Sequence, residues 1–210
     1  AKATCSVLSN ALSGSSQFRL SADGDRAVAL DGADIHYRGD SGCDYGRLAT
    51  KSKEPFAAII LHHNPPYRSC AWLIDYQIKG DAARGGHFGY HFYVEGDGGV
   101  FQGAPLTVRT NHVKGLGYRV RTDVGRMAQN SNSIGITCVG AETAQGSAPT
   151  AAQQTITIAL VTGLCTAFEI PFENVFGHGE VQSDRHPTEG ALMAQMIRAG
   201  ITPKALNAAP

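Results

Sequence analysis

Short apolar runs separated by glycine-rich turns dominate the hydrophobic pattern of this chain. Residues 56–61 are continuously apolar and residues 133–139 are mostly so, which is typical of strands buried on both faces of a sheet. Residues 89–94 and 100–101 lie on either side of a glycine-rich turn at 95–99, and this arrangement predicts a hairpin. Shorter strands are predicted at residues 27–30, 35–37 and 175–176.

Three segments between or after these runs have the pattern of helices. Apolar residues recur at every fourth position from 156 to 168, and Thr150 and Gln153 have the spacing of a capping box before them. The other two predicted helices cover residues 70–79 and 191–198. The order of strands and helices predicts the α/β class, with a single mixed β-sheet flanked by helices.

The first quarter of the chain is patterned differently from the rest. Residues 1–55 are rich in glycine, and we expect them to form an N-terminal extension whose short strands pack on the core. The main domain is then predicted at residues 56–210. Cys5 and Cys43 both lie in the extension, and the sequence leaves open whether they pair in an oxidising compartment.

Charge and composition exclude two classes of partner. The chain has 18 basic and 18 acidic side chains, so it lacks the basic surplus that binding a phosphate backbone requires, and we expect no nucleic-acid partner. Its longest uncharged stretch, residues 143–168, is interrupted by glycine, proline and glutamine, and only residues 156–168 are mostly apolar. This is short of the ~20 residues that a spanning helix needs, so we expect no membrane span.

Histidines stand at the ends of two predicted strands. His62 follows the apolar run 56–61, and His178 follows the short strand near residue 176. Because strand ends hold side chains rigidly, they can aim two imidazoles at one metal ion. A catalytic zinc site uses about three protein ligands and leaves one position open for water, and His186 and Glu189 are competent third ligands. The sequence therefore predicts a zinc site at the edge of the sheet.

Five short segments occur in order along the chain: Ala58-Ile-Ile-Leu-His62, Gly89-Tyr-His-Phe-Tyr-Val-Glu-Gly-Asp-Gly98, Asn111-His112, Asn132-Ser-Ile-Gly-Ile-Thr-Cys-Val-Gly140 and Gly177-His178. Together they resemble the type-2 zinc N-acetylmuramoyl-L-alanine amidases, a family that includes phage lysozyme-type amidases and peptidoglycan-recognition proteins. The resemblance covers roughly residues 56–195 and makes 56–210 an amidase domain. It implies hydrolysis of the amide bond between N-acetylmuramic acid and L-alanine, in peptidoglycan or muropeptides, with one zinc ion per chain.

The resemblance also implies roles for single residues. By position in the family motifs, His62 and His178 are zinc ligands, with His63 as the alternative to its neighbour. Tyr90 takes the place of a residue of the catalytic site. His112 takes the place of a histidine that lines the substrate groove, so it is expected to contact the muramyl peptide.

The end of the site departs from the family pattern. Where the family has lysine or threonine, one further residue and a cysteine or aspartate ligand before Pro-Gly, this chain has Asp184-Arg-His-Pro-Thr-Glu-Gly190. We expect Glu189 to be the third ligand and His186 to replace the lysine, donating a proton or stabilising the oxyanion. His186 as the ligand and Arg185 as the positive helper are the alternatives.

The resemblance leaves two functions to be distinguished. One is a zinc amidase, and the other is a recognition module of the same fold that binds muramyl peptide without cutting it. The third ligand separates them, since a family member without it is expected to lose zinc. We expect the enzyme, either secreted or periplasmic, or encoded by a phage and acting on the cell wall.

Overall fold

The computed structural model describes residues 18–30, 33–38, 54–64, 69–80, 88–113, 128–141 and 148–201. It contains a six-stranded mixed sheet with helices packed on it, as the sequence predicts, and a separate three-stranded sheet. Cys5 and Cys43 lie outside the described residues.

The strands of the six-stranded sheet are β4 (His36–Tyr37), β5 (Ala58–Asn64), β6 (Phe92–Val94), β7 (Val100–Gln102), β8 (Ser133–Val139) and β9 (Val175–Gly177). Their order across the sheet is β4-β7-β6-β8-β5-β9. All neighbouring strands run parallel except β6 and β7, which form the predicted hairpin.

The two longest strands, β5 and β8, form the centre of the sheet. They pair in parallel from Ala58 opposite Ser133 to Asn64 opposite Val139, which places His62 opposite Thr137. β5 has a partner on each side, and its apolar run is buried on both faces, as the continuous hydrophobic pattern predicts. The end of β5 is therefore a rigid position for a functional side chain.

Four α-helices belong to the described residues: α1 (Cys70–Gly80), α2 (Ala151–Phe168), α3 (His178–Val181) and α4 (Ala191–Arg198). The predicted capping box of α2 is confirmed, because the Thr150 hydroxyl accepts from the Gln153 N–H and the Gln153 amide oxygen accepts from the Thr150 N–H. The Gln153 side chain is buried and also donates to the carbonyls of Val94 and Val139. This side chain ties the start of α2 to the sheet.

Among the described helices, α2 is long and apolar enough to cross a membrane by length and composition. Half of its residues are buried inside the protein, because one side packs against the core that the sheet and α4 share. A helix packed in the core of a protein passes the same test of length and composition.

The three-stranded sheet is antiparallel and consists of β1 (Arg19–Leu20), β2 (Ala27–Leu30) and β3 (Ala33–Asp34). Ala27 and Leu30 join the main core, and the Gln102 side chain binds this region by accepting from the Ala27 N–H and donating to the Asp25 carbonyl. The sequence did not indicate a second sheet, since strands of two to four residues carry too little periodicity.

Candidate metal centre

Two neighbouring parallel strands bring two histidines together at one edge of the sheet. β5 and β9 pair with Leu61 opposite Gly177, so the next residue of each segment is a histidine at the same level. The Nδ1 atoms of His62 and His178 are 3.0 Å apart, although 116 positions separate these residues along the chain. Both side chains are buried. The pairing of strand ends predicted from the sequence is therefore present.

The turn after α3 adds a carboxylate to this pair. One carboxylate oxygen of Glu189, Oε1, lies 2.8 Å from Nδ1 of His178 and 3.6 Å from Nδ1 of His62. The Glu189 backbone carbonyl accepts from the Gly179 N–H at 3.0 Å, which holds the turn against the start of α3. His62, His178 and Glu189 are the one group of possible metal-ligating residues found among the described residues.

α3 is a short helix that the sequence pattern did not indicate, and it positions His178 as its first residue. Glu180 holds its start, because its carboxylate accepts from the Gly177 N–H at 2.7 Å and pairs with Arg198 of α4 at 2.7 Å. A four-residue helix has no apolar periodicity to read. Glu180 follows Gly177 by three positions, which is the spacing of a capping box, and this spacing could have predicted the start of α3.

Burial and the neighbouring side chains set the charge states of His62 and Glu189. Burial lowers the pKa of His62 to about 3, with the neighbouring His178 acting in the same direction, so His62 is neutral near pH 7. Burial by itself would raise the pKa of Glu189, but the imidazoles of His178 and His62 outweigh it and lower that pKa. A neutral imidazole thus faces an ionised carboxylate.

The hydrogen bonds of His178 show what the cluster can hold. Its Nε2 lies 2.9 Å from the side-chain oxygen of Gln182, whose amide nitrogen donates to Asp184. Nε2 therefore carries a hydrogen, and in a neutral ring Nδ1 offers the lone pair that a metal ion would take. A proton on Nδ1 or a metal ion can join this nitrogen to the Glu189 carboxylate, which lies 2.8 Å away. The donor chemistry of these residues therefore fits a metal ion.

The spacing of the donor atoms agrees with zinc. A tetrahedral zinc ion with ligands at about 2.0–2.1 Å keeps its ligand atoms roughly 3.3 Å apart. The three separations here, between His62, His178 and Glu189, are 2.8, 3.0 and 3.6 Å. Two histidines and one glutamate also form one of the ligand sets of catalytic zinc, which leaves a fourth position for water or substrate.

The structure separates His62 from its neighbour His63. Successive residues of a strand point to opposite faces, and His62 is the one that joins the cluster. His63 is half-buried, and its Nδ1 has no hydrogen-bond partner among the described residues. The alternative that the sequence left open at this position is not part of the donor set.

Tyr90 lies beside the cluster. Its ring centroid is 4.8 Å from that of His62, and the ring is only partly buried. β6 begins at Phe92, so Tyr90 precedes the strand and packs edge-on against Tyr93 instead of sharing a face with Phe92. The partly exposed ring of a tyrosine is therefore held next to a candidate ligand.

His112 lies on the other side of His62. Its Nδ1 is 3.0 Å from Nε2 of His62, and its Nε2 is 3.3 Å from both the carbonyl oxygen and the hydroxyl of Ser133. The ring covers Gly135, where a Cβ atom would lie only 2.6 Å from Cγ of His112. The residue expected to contact substrate is thus buried behind a candidate ligand.

His186 and Arg185 are not part of the cluster. Both are exposed on the turn that leads to Glu189, where Nδ1 of His186 lies 2.7 Å from the Thr188 hydroxyl. Of the two competent third ligands, the structure brings the carboxylate of Glu189 to the histidines and leaves His186 at the surface.

Sequence reasoning missed two groups around the cluster. Gln182 orients His178, and it follows that histidine by four positions, which is the spacing of side chains on one helix face. Thr137 lies opposite His62 in the sheet, and its hydroxyl accepts from the Asn64 side chain at 2.7 Å. Pairing of the strand predicted at residues 133–139 with the strand before His62 is the signal that could have placed Thr137 near this histidine.

Comparison of the sequence with protein families gives one match. The profile of the N-acetylmuramoyl-L-alanine amidases matches residues 52–191, which is two thirds of the chain and includes every residue of the cluster. A search of curated proteins finds no match.

Comparison of the structure finds similar folds among solved structures. The amidase LysCS from Clostridium intestinale URNW has 21% identity and a TM-score of 0.51, covering 72% of this chain and 90% of its own. PGRP-Hd from Alvinella pompejana has 18% identity and a TM-score of 0.55, with coverages of 81% and 97%. A mutant of Drosophila PGRP-LB in complex with tracheal cytotoxin has 20% identity and a TM-score of 0.57, with coverages of 77% and 92%. At these identities the likeness shows the fold alone.

Proposed function

The chain belongs to the N-acetylmuramoyl-L-alanine amidase family, and from that premise we propose that it is a zinc-dependent hydrolase of peptidoglycan. Its substrate is the amide bond between N-acetylmuramic acid and L-alanine, in the polymer or in released muropeptides. The observation that supports this most directly is the buried cluster of His62, His178 and Glu189. A module that only binds muramyl peptide has no need of an anion facing two buried imidazoles.

In this proposal the three residues hold one zinc ion, His62 and His178 through Nδ1 and Glu189 through a carboxylate oxygen. A bound zinc ion supplies polarisation of the amide carbonyl and a water of lowered pKa. The protein residues hold that charge in a fixed position: burial keeps His62 neutral, and Gln182 keeps a lone pair of His178 turned inward. The fold thereby supplies a preorganised site.

We assign two residues to the chemistry, one to the charge that forms on the carbonyl oxygen and one to the proton that the leaving group needs. Tyr90 has a partly exposed ring beside His62, so its hydroxyl can donate to the oxyanion that forms when the amide carbonyl is attacked. The L-alanine nitrogen must gain a proton before it leaves. His186 is exposed on the adjacent turn and is our candidate donor for that proton.

The proposed substrate sets where the protein works. Peptidoglycan lies outside the cytoplasm, so we propose that the protein is secreted or periplasmic, or encoded by a phage and acting on the cell wall. The alternative is a recognition module of the same fold, and the complex of a PGRP-LB mutant with tracheal cytotoxin is an example of this fold with a ligand bound.

Digestion of purified peptidoglycan tests the proposal. The zinc-loaded protein is expected to release stem peptides that begin with L-alanine, detected by mass spectrometry and by labelling of new amino groups, without new reducing sugar ends. Glu189→Gln, which has nearly the same size, is the matched control and is expected to release none. Binding to peptidoglycan without any release would support the recognition module, and new reducing ends would show a glycosidase, which requires paired carboxylates at a sugar site.

A further inference from the structure

We propose that His112 is a positioning residue that fixes the tautomer of the metal ligand His62, and that it does not contact substrate. The inference rests on the proposed metal site. His112 is only 6% exposed, and its ring stands edge-on to that of His62 with centroids 5.2 Å apart. Both of its ring nitrogens have partners inside the protein, so no nitrogen is left for a muramyl peptide.

The hydroxyl of Ser133 decides which nitrogen of His112 carries the hydrogen. That hydroxyl donates to the carbonyl of Gln129 at 2.6 Å, so its oxygen can only accept from His112. The carbonyl of Ser133 is a second acceptor at the same 3.3 Å distance from Nε2. Two acceptors facing Nε2 require a hydrogen on it. In the neutral imidazole, Nδ1 of His112 is then an acceptor.

An acceptor on His112 decides the tautomer of His62 in turn. Nδ1 of His112 and Nε2 of His62 are 3.0 Å apart, so a hydrogen bond between them requires the hydrogen on Nε2 of His62. Nδ1 of His62 then carries a lone pair directed at Nδ1 of His178 and at Glu189. With its hydrogen on the other nitrogen, His62 would lose this bond and could not bind a metal through Nδ1.

The fold provides a specific place for the ring of His112. Its N–H and that of Val113 both donate to the side-chain oxygen of Asn130, at 2.7 and 2.8 Å, which fixes the backbone. The ring then lies over Gly135, where any side chain would collide with it. A hydrogen-bond chain therefore runs from the Gln129 carbonyl through Ser133 and His112 to His62.

Hydrogen bonding of a ligand histidine through its second nitrogen orients the ring and raises its basicity, and loss of the partner typically costs 10–100-fold in metal affinity. Two variants separate this role from packing. In His112→Asn the amide oxygen can occupy the place of Nδ1 and accept from His62. In His112→Leu the apolar volume is retained and the acceptor is lost.

The experiment measures the zinc Kd of each purified protein by competition with a chromophoric chelator at pH 7.5. We expect His112→Leu to bind roughly 10–100-fold more weakly than the parent and His112→Asn to recover most of that loss. His36→Ala, at an exposed histidine on β4, is the control and should match the parent. A parental Kd for His112→Leu, or equal losses for both variants, would overturn the proposal.

A spectroscopic measurement on the metal-free parent tests the proposal without a variant, so its result does not depend on whether the His112 variants fold. Long-range ¹H–¹⁵N correlation spectra distinguish the two tautomers of His62, and we expect the hydrogen on Nε2. A hydrogen on Nδ1 would overturn the proposal. This measurement needs neither zinc nor catalysis. If the parent binds no zinc, the proposed function is refuted, but the spectrum still tests whether His62 has the tautomer that His112 is proposed to fix.

Discussion

Gly190 lies directly against the carbonyl oxygen of Leu61, with no room for a Cβ atom between them. Gly190 also has a φ of +70°, a conformation that side chains other than glycine rarely adopt. Leu61 precedes one candidate ligand, His62, and Gly190 follows another, Glu189. This close approach therefore fixes the distance between two segments that carry the proposed metal site.

Gly190→Ala is expected to weaken both stability and metal binding, because Leu61 and the turn must move apart. Gly200→Ala is a matched control, since Gly200 has a φ of +73° but open space around its Cα. The control should lose about 1 kcal/mol from its left-handed backbone alone. Denaturant unfolding and zinc content should show a clearly larger loss for Gly190→Ala, and equal losses would mean that the contact with Leu61 is not a constraint.

Glu189→Gln is expected to purify with far less zinc than the parent, because an amide oxygen replaces the charged ligand. Glu173→Gln, at an exposed position of the 3₁₀ turn before β9, serves as the control and should keep its metal. Elemental analysis after dialysis at neutral pH measures both. Zinc retained at one ion per chain in Glu189→Gln would show that the negative charge of Glu189 is not needed to hold the ion.

His186→Ala is expected to keep its zinc and to turn over slowly, since an exposed proton donor would be lost while the ligands remain. The rate loss should appear in kcat and in kcat/KM alike, as for a group that acts only in the transition state. Zinc content and the rate of peptide release are measured on the same preparation. If His186→Ala instead loses zinc, the third ligand is His186 and the site contains three histidines.

Tyr90→Phe removes one hydroxyl beside His62 and is expected to leave zinc content and folding unchanged. Loss of a transition-state hydrogen bond typically lowers kcat by about 10²-fold or more. Tyr76→Phe, on the exposed side of α1, is a control for the substitution itself. A parental rate in Tyr90→Phe would mean that the ring only packs against Tyr93.

His91 is expected to make the fold sensitive to acid. Burial lowers the pKa of this fully buried imidazole to about 4. Unfolded chains therefore bind a proton between pH 6.5 and 4 that the folded protein does not, so stability is complete above pH 6.5 and falls as the pH drops towards 4. A shift of this size corresponds to about 3 kcal/mol.

Urea unfolding of the parent and of His91→Gln at several pH values between 7 and 4 measures this contribution. The variant retains a donor for the Val108 carbonyl, which His91 contacts through Nε2 at 3.0 Å, and it cannot titrate. Its unfolding free energy should change less with pH than that of the parent. Parallel curves would show that His91 does not contribute to the acid sensitivity.

The sequence was sufficient to predict features that depend on local hydrogen bonds or on a hydrophobic pattern that repeats along the chain. The continuous apolar run before His62 predicts a buried strand, and the strand ends then place His62 and His178 at one sheet edge. The capping box of Thr150 and Gln153 is a local hydrogen-bond pattern and was equally readable. The mixed α/β sheet follows from the order of such elements.

Features that depend on packing between segments distant in the chain could not be predicted from the sequence. The contact of His112 with His62 exists because Gly135 on a third segment leaves room for the ring, and no spacing in the sequence shows this. The strand predicted at residues 89–94 would place Tyr90 on the same face as Phe92, but β6 begins only at Phe92. The alternation rule therefore did not apply to it.

The position of β5 between two neighbours has a consequence for how long a bound ion would stay. Amide hydrogens of Ala58 to Leu61 are expected to exchange with solvent only when the whole domain unfolds, because these residues are almost completely buried. Residues 183–188, by contrast, are exposed, and their amides should exchange through local opening. Glu189 follows directly on that turn. The residence time of the ion would therefore be set by the opening rate of one surface turn, while the histidine on β5 stays in place.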